Sequence, residues 1–147
     1  MNVVLADEAA TQALGRRLAA LLGPGEAICL SGPLGAGKST LARALVRALT
    51  TPDEEVPSPT FTLVQFYETG RFPLAHFDLY RLTDPDEAYE IGLDEALDGG
   101  AALVEWPQRL EGRLPADRLD IEIAFEGEGR TARLTPHGAW KDRPLEF

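Results

Sequence analysis

Residues Gly32-Pro33-Leu34-Gly35-Ala36-Gly37-Lys38-Ser39 fit the spacing G-x-x-x-x-G-K-[ST] at every fixed position. The preceding run, Glu26 to Ser31, reads as a buried strand. The following run, Ser39 to Leu49, carries Leu41, Leu45, Val46 and Leu49 on one helical face and Arg43 and Arg47 on the other. A glycine-rich turn joining a buried strand to an amphipathic helix constrains the fold more than any other feature of the chain. Glycines let the backbone take positive φ and curl its N–H groups around an anion, and the helix N-terminus adds its dipole at the same place. In such a loop Lys38 reaches the β and γ phosphates of a nucleotide and the Ser39 hydroxyl ligates Mg²⁺. The only other lysine is Lys141, and the formal net charge is −10, so Lys38 is not one of a general coat of surface cations.

The 147 residues leave room for one domain, 1–147, against a usual size of roughly 100 to 200 residues. With 44% hydrophobic and 26% charged residues, the composition is that of a soluble globule. An excess of 24 acidic over 14 basic side chains argues against a broad phosphate-gripping surface, so any nucleic-acid role runs through a partner or a small local patch. The single cysteine, Cys29, excludes an internal disulfide and sits in the apolar run Ala27 to Leu30 as a core residue. No stretch approaches the ~20 apolar residues of a membrane span, and the first residues lack a basic region, which predicts a cytoplasmic protein.

Around the central strand–turn–helix, periodicity predicts a short strand over Val3 to Ala6 and a helix capped by Asp7 that runs to Leu22 and stops at Gly23-Pro24. A Pro-rich link spans Pro52 to Pro59. Thr62 to Glu68 and Phe72 to Tyr80 flank Thr69-Gly70-Arg71 as a β-hairpin. Asp84-Pro85-Asp86-Glu87 opens a short acidic helix or pair of helical turns ending near Gly99-Gly100, with its charges on a solvated face. Ala101 to Glu105 is a compact apolar strand, and Asp120 to Phe125 alternates strictly and pairs with Arg130 to Thr135. The expected class is α/β: a phosphate-loop domain with a mixed parallel and antiparallel sheet flanked by helices.

Such a site needs a carboxylate at the end of a neighbouring apolar strand to hold the metal ion. Two acids qualify, Asp78 after Pro73 to Phe77 and Glu105 after Ala101 to Val104, and Glu105 follows the cleaner apolar run. His76 reads as a half-buried strand residue rather than a general base. Thr60, in Ser58-Pro59-Thr60-Phe61-Thr62, lies where a hydroxyl can sense a γ phosphate, although the same spacing also suits a plain strand start. No N/T-K-x-D guanine reader exists, since Lys141 and Asp142 are adjacent, so elimination favours adenine. A small-molecule kinase shares the Gly35 to Lys38 core. Its arginine-rich lid has only Arg109, Arg113 and Arg118 as counterparts here, set among Pro107, Gly112 and Pro115.

Taken together, Asp7-Glu8 and Thr11, Gly32 to Thr40, Ser58 to Val64, His76 to Leu82, Val104-Glu105-Trp106-Pro107 and Gly129 to Arg133 resemble the TsaE (YjeE) family of small bacterial P-loop ATPases. These segments span roughly four fifths of the chain. The family usually has Asp in place of Pro33 and Thr in place of Ser39; Ser keeps the hydroxyl, while Pro33 removes one backbone N–H. The resemblance implies ATP or ADP bound by Leu34, Gly35, Ala36, Gly37, Lys38, Ser39 and Thr40. It places Ser39 and Glu105 at Mg²⁺, with Asp78 close behind as metal ligand or neighbour of the attacking water. Lys38, Asp78 and Glu105 become the catalytic set. Thr60 and Trp106 lie beside the nucleotide, and Glu8, Thr11, Gln108 and Arg130 match positions near the base or ribose. The resemblance also implies partners, the TsaB and TsaD proteins, with tRNA reached indirectly and hydrolysis resetting the assembly between rounds of threonylcarbamoyladenosine synthesis. The alternatives are a small-molecule P-loop kinase and a nucleotide-gated adaptor without turnover.

Overall fold

A computed structural model describes residues 1–147. The strands are β1 (Asn2–Leu5), β2 (Ala27–Ser31), β3 (Val64–Glu68), β4 (Pro73–Asp78), β5 (Ala101–Glu105), β6 (Arg118–Glu126) and β7 (Gly129–His137). The helices are α1 (Glu8–Leu21), α2 (Lys38–Leu49), α3 (Asp86–Glu90) and α4 (Leu93–Leu97), with 3-10 turns at Pro107–Leu110 and Gly138–Trp140. All seven strands form one sheet in the order β1-β7-β6-β2-β5-β4-β3. Its centre is parallel, β2 pairing with β5 and β6 and β4 with β5, while β3–β4, β6–β7 and β1–β7 are antiparallel. The sheet is therefore mixed, and the expected hairpin and final strand pair are both present.

The period of two along the strands divides the interior into two layers. Ile28 and Leu30 of β2, Ala101 and Leu103 of β5, and Leu119, Ile121 and Ile123 of β6 pack with Leu14, Leu18, Leu41 and Leu45 of α1 and α2. Ala27 and Cys29, Ala102 and Val104, and Ala75 and Phe77 of β4 point the other way, against Ala88 of α3 and Leu93 of α4. Helix α1 starts where Asp7 accepts a hydrogen bond from the Ala10 N–H at 2.9 Å. It can lie close to α2 because Gly15 has no side chain: a Cβ there would stand 2.8 Å from the Leu41 carbonyl oxygen and 2.9 Å from the Ala44 Cβ. Asp86, Glu90, Asp94, Glu95 and Asp98 are exposed on the surface of the chain. Burial and the nearby Asp120 push the Cys29 thiol up to about 12, Arg118 opposing, as suits an inert core residue. No helix is long and apolar enough to cross a membrane.

The C-terminal dozen residues carry a packing role that no periodicity announces. Trp140 is fully buried, and Leu145 and Phe147 pack against the same core as α1 and α2. Arg143 fixes this tail. It donates from Nη1 to Glu26 Oε1 at 2.8 Å and from Nη2 to Oε2 at 2.7 Å, and its Nη1 also reaches the Leu21 carbonyl at 2.9 Å, near the C-terminal end of α1. The guanidinium holds the Glu26 carboxyl below its ordinary value, outweighing the opposing effect of burial. A carboxyl with a depressed folded pKa contributes fully above its unfolded pKa, and the contribution disappears as the pH falls through the lower folded value. Arg143→Ala should therefore cost about 1.5 to 3 kcal/mol at neutral pH in urea denaturation. Most of that difference should vanish when the measurement is repeated well below the ordinary carboxylate range.

Candidate active site

Strand β2 ends at Ser31, and the chain leaves the sheet through Gly32, whose φ of 142° and proximity to β6 leave no alternative residue: a Cβ would lie 2.4 Å from the Ile123 carbonyl oxygen. Gly35 and Gly37 also have positive φ, 80° and 110°, so the loop curls as its glycines require and delivers Lys38 to the first turn of α2. Leu34, Gly35, Gly37, Lys38, Ser39 and Thr40 line one wall of a cavity of about 300 Å³. Ser58, Thr60, Asp78, Tyr80, Glu105 and Trp106 line the other.

The two acids reach this cavity through strand register. Strands β4 and β5 run parallel with Asp78 opposite Glu105, so both carboxylates leave the C-terminal ends of adjacent strands, where open α/β sheets place their ligands. Each is nearly buried, at 5% exposure. Asp78 is tied by both oxygens: Thr60 Oγ1 donates to Oδ2 at 3.0 Å, and the Tyr80 N–H donates to Oδ1 at 3.0 Å. Ser58 Oγ stands 2.8 Å from Thr60 Oγ1 and extends this chain of hydroxyls. Glu105 is held by His76, whose Nε2 lies 2.7 Å from Oε2.

Lys38 faces both carboxylates but ion-pairs with neither. Its Nζ donates to the Gly32 carbonyl at 2.7 Å and lies 3.9 Å from the centre of the Trp106 ring. The indole is aimed there by a left-handed backbone at Trp106, φ 60° and ψ 51°, a conformation that costs a non-glycine residue roughly 1 to 3 kcal/mol. Tyr80 packs on the same indole with ring centres 4.9 Å apart. Burial draws the Lys38 ammonium below its ordinary pKa, with Glu105 and Asp78 pulling the other way. The loop thus holds a desolvated cation short of anionic partners, which is the electrostatic condition for gripping phosphate.

Beyond the loop, Glu8, Thr11 and Arg130 meet in a second cavity, about 210 Å³, that shares Gly35, Gly37 and Thr40 with the first. Arg130 donates to the Gly35 carbonyl at 3.3 Å, and its guanidinium lies 4.3 Å from the centre of the Phe125 ring. Of the residues matched to the base or ribose, Gln108 alone lies apart. It lines a separate groove with Cys29, Ser31, Asp120, Glu122 and Arg133. Ala36 is fully buried beneath the loop. Three features escaped sequence reasoning: the Tyr80 ring tilted against Trp106, the Ser58 hydroxyl, and the full burial of His76 at 2% exposure rather than half-burial. The His76 contact had a signal, because residues two apart on a strand share a face and Asp78 already pointed to the site. Of the arginines that could form a kinase lid, Arg113 pairs with Asp86 and Arg118 with Asp120 at 3.0 Å, while Arg109 lies over the ring of Tyr80, which lines the cavity.

Because its folded pKa is lowered, Lys38 weakens the fold near neutral pH, and stability should recover as the pH rises toward the lysine value of 10.5. Lys38→Met should raise the melting temperature of the nucleotide-free protein by roughly 2 to 4 °C and lose that alkaline recovery. A lower melting temperature in the variant would make Lys38 a structural cation.

The sequence model of the family described as "Threonylcarbamoyl adenosine biosynthesis protein TsaE" matches residues 5–133. Proteins described as "tRNA threonylcarbamoyladenosine biosynthesis protein TsaE" are similar to this chain at 44% identity in Aquifex aeolicus, over 86% of this chain and 90% of the relative. In Bacillus subtilis the identity is 41%, over 80% and 73%. The crystal structure of Bacillus subtilis YdiB superposes with a TM-score of 0.75 at 33% identity, covering 94% of this chain and 86% of that one. With the match running from the end of β1 to the middle of β7, the chain belongs to the TsaE family of tRNA threonylcarbamoyladenosine biosynthesis proteins.

Proposed function

We propose that this chain is an ATP-binding, Mg²⁺-dependent ATPase subunit, working with TsaB and TsaD in threonylcarbamoyladenosine synthesis and resetting their complex between turnovers. The observation that carries the reading is the meeting of Lys38 and Ser39 with Asp78 and Glu105 in one cavity. Phosphoryl transfer asks little covalent chemistry of a protein and much positioning and charge stabilisation, and these four residues are of the types that supply them. The backbone N–H groups of the loop bind phosphate oxygens, and Lys38 turns from the Gly32 carbonyl to the β and γ phosphates. Glu8, Thr11 and Arg130 flank the nucleoside side.

The donor set suits Mg²⁺: a hydroxyl and two carboxylates supply hard oxygen ligands, and no group of three acidic, histidine or cysteine side chains converges into a closed cage. Ser39 and Glu105 would hold the ion, with Asp78 beside them. When bound, the ion neutralises charge that develops on the transferring phosphoryl group. Thr60 reports the γ phosphate through Asp78, since the hydroxyl that would meet the phosphate also holds that carboxylate.

Slow turnover by the isolated chain follows from the open rim. Leu34 is 77% exposed and Phe61, next to Thr60, is 81% exposed, so water is not excluded until another surface covers them. TsaB and TsaD are assigned as that surface from family membership. Lys38→Ala should abolish ATP binding in titration calorimetry, and unchanged binding would overturn the site. Glu105→Ala should bind ATP yet lose turnover by roughly a hundredfold or more, a loss comparable to removing a preorganised charge-stabilising group. Normal hydrolysis by that variant would transfer the role to Asp78.

A further inference from the structure

His76 and Glu105 form a buried polar contact between β4 and β5. On β4, Leu74, His76 and Asp78 share one face; on β5, Ala101, Leu103 and Glu105 share the corresponding face, and the register sets His76 opposite Leu103. The imidazole therefore reaches diagonally along the sheet to the next acid, closing at 2.7 Å with 2% of His76 and 5% of Glu105 exposed. A carboxylate only accepts, so the proton of this bond sits on Nε2. Nδ1 has no hydrogen-bonding partner and is buried, a position where a bare lone pair costs less than an orphaned N–H.

The consequence lies in the oxygens. Both oxygens of Asp78 accept protein hydrogen bonds, from Thr60 and Tyr80. Glu105 has one oxygen bound, and no side chain or backbone N–H of the protein bonds Oε1. A free glutamate at a strand end would spread its carboxylate over several rotamers, and fixing such a side chain costs conformational entropy. His76 meets that cost during folding. A buried polar pair contributes little net stability against apolar residues of similar volume, so its presence here is better explained by orientation than by fold stability.

We propose that His76 is a positioning residue, which clamps Glu105 by Oε2 so that Oε1 is the preorganised ligand for the nucleotide's divalent ion. The inference rests on the ATPase reading above and adds that Glu105 is the acid with an oxygen free of any protein hydrogen bond. Ion binding is the property most sensitive to such an outer partner, whose loss typically costs roughly 10- to 100-fold in metal affinity or activity.

The test compares His76→Leu, which removes the donor, with His76→Gln, whose amide N–H can reach the position of Nε2, and His76→Asn, whose shorter amide cannot. Mn²⁺ binding to the protein–ADP complex, followed by electron paramagnetic resonance, reads the ion site without turnover; ADP affinity without metal and the melting temperature read the rest of the fold. His76→Leu and His76→Asn should weaken Mn²⁺ at least tenfold and lower kcat with KM for ATP little changed. His76→Gln should recover both to within about threefold of the unaltered protein. If His76→Leu does not fold, the Gln and Asn pair carries the comparison. Equal losses in Gln and Asn, or wild-type Mn²⁺ affinity in Asn, would overturn the positioning role while leaving the ATPase reading intact. Failure of the unaltered protein to bind ADP would overturn both.

Discussion

The site depends on β2 being clasped on both sides by parallel partners. β5 and β6 fix it in register from Ala27 onward, and the bond from the Trp106 N–H to the Leu30 carbonyl at 3.2 Å continues the β2–β5 contact beyond the end of β5. With the strand held to its last residue, the following loop has no lateral freedom, and Gly32 must pass against the Ile123 carbonyl. The parallel pairing of β4 with β5 then brings a second and third strand end to the same edge. A loop, a helix start and two carboxylates are thus assembled by backbone hydrogen bonding before any side-chain contact is counted.

The electrostatics of that edge explain how an acidic chain can serve an anionic ligand. The formal charge of −10 is spread over exposed acids such as those of α3 and α4 and is screened by solvent. Lys38 is instead buried and satisfied only by a carbonyl and the face of an indole, with two carboxylates near enough to raise its pKa but not near enough to offset desolvation. The protein keeps its one loop cation poised, and the strained Trp106 backbone is part of what keeps it there. The charge balance that argues against a broad grip on nucleic acid is therefore compatible with a role in tRNA modification at one remove from the RNA.

Much of this was legible in the sequence because local chemistry dictates it. The glycine spacing, the Asp7 cap, the alternation of Asp120 to Phe125 and the apolar run ending in Glu105 each specify an element by a rule that needs no tertiary context. The resemblance on scattered segments gathered Glu8, Thr11 and Arg130, which the fold brings together at the loop, but it did not separate out Gln108, which the 3-10 turn after Trp106 carries to another groove. What stayed hidden is long-range. Nothing local says that Arg143 closes on Glu26 or that Trp140 fills the core, since neither lies in a periodic segment. The hydrogen bonds that hold the two acids are likewise hidden, since Thr60 comes to Asp78 from a distant loop and His76 comes to Glu105 from the neighbouring strand.

If this small domain hydrolyses ATP in the service of other chains, phosphate release and tRNA modification must be coupled. The most direct measurement follows phosphate release from ATP by the protein alone and with TsaB and TsaD, while counting rounds of tRNA modification in the same mixture. Release should be slow alone and faster with the partners, with multiple rounds of modification only when hydrolysis proceeds. Transfer of the phosphoryl group to a small molecule, or ATP-dependent association with the partners and no phosphate release, would contradict that coupling.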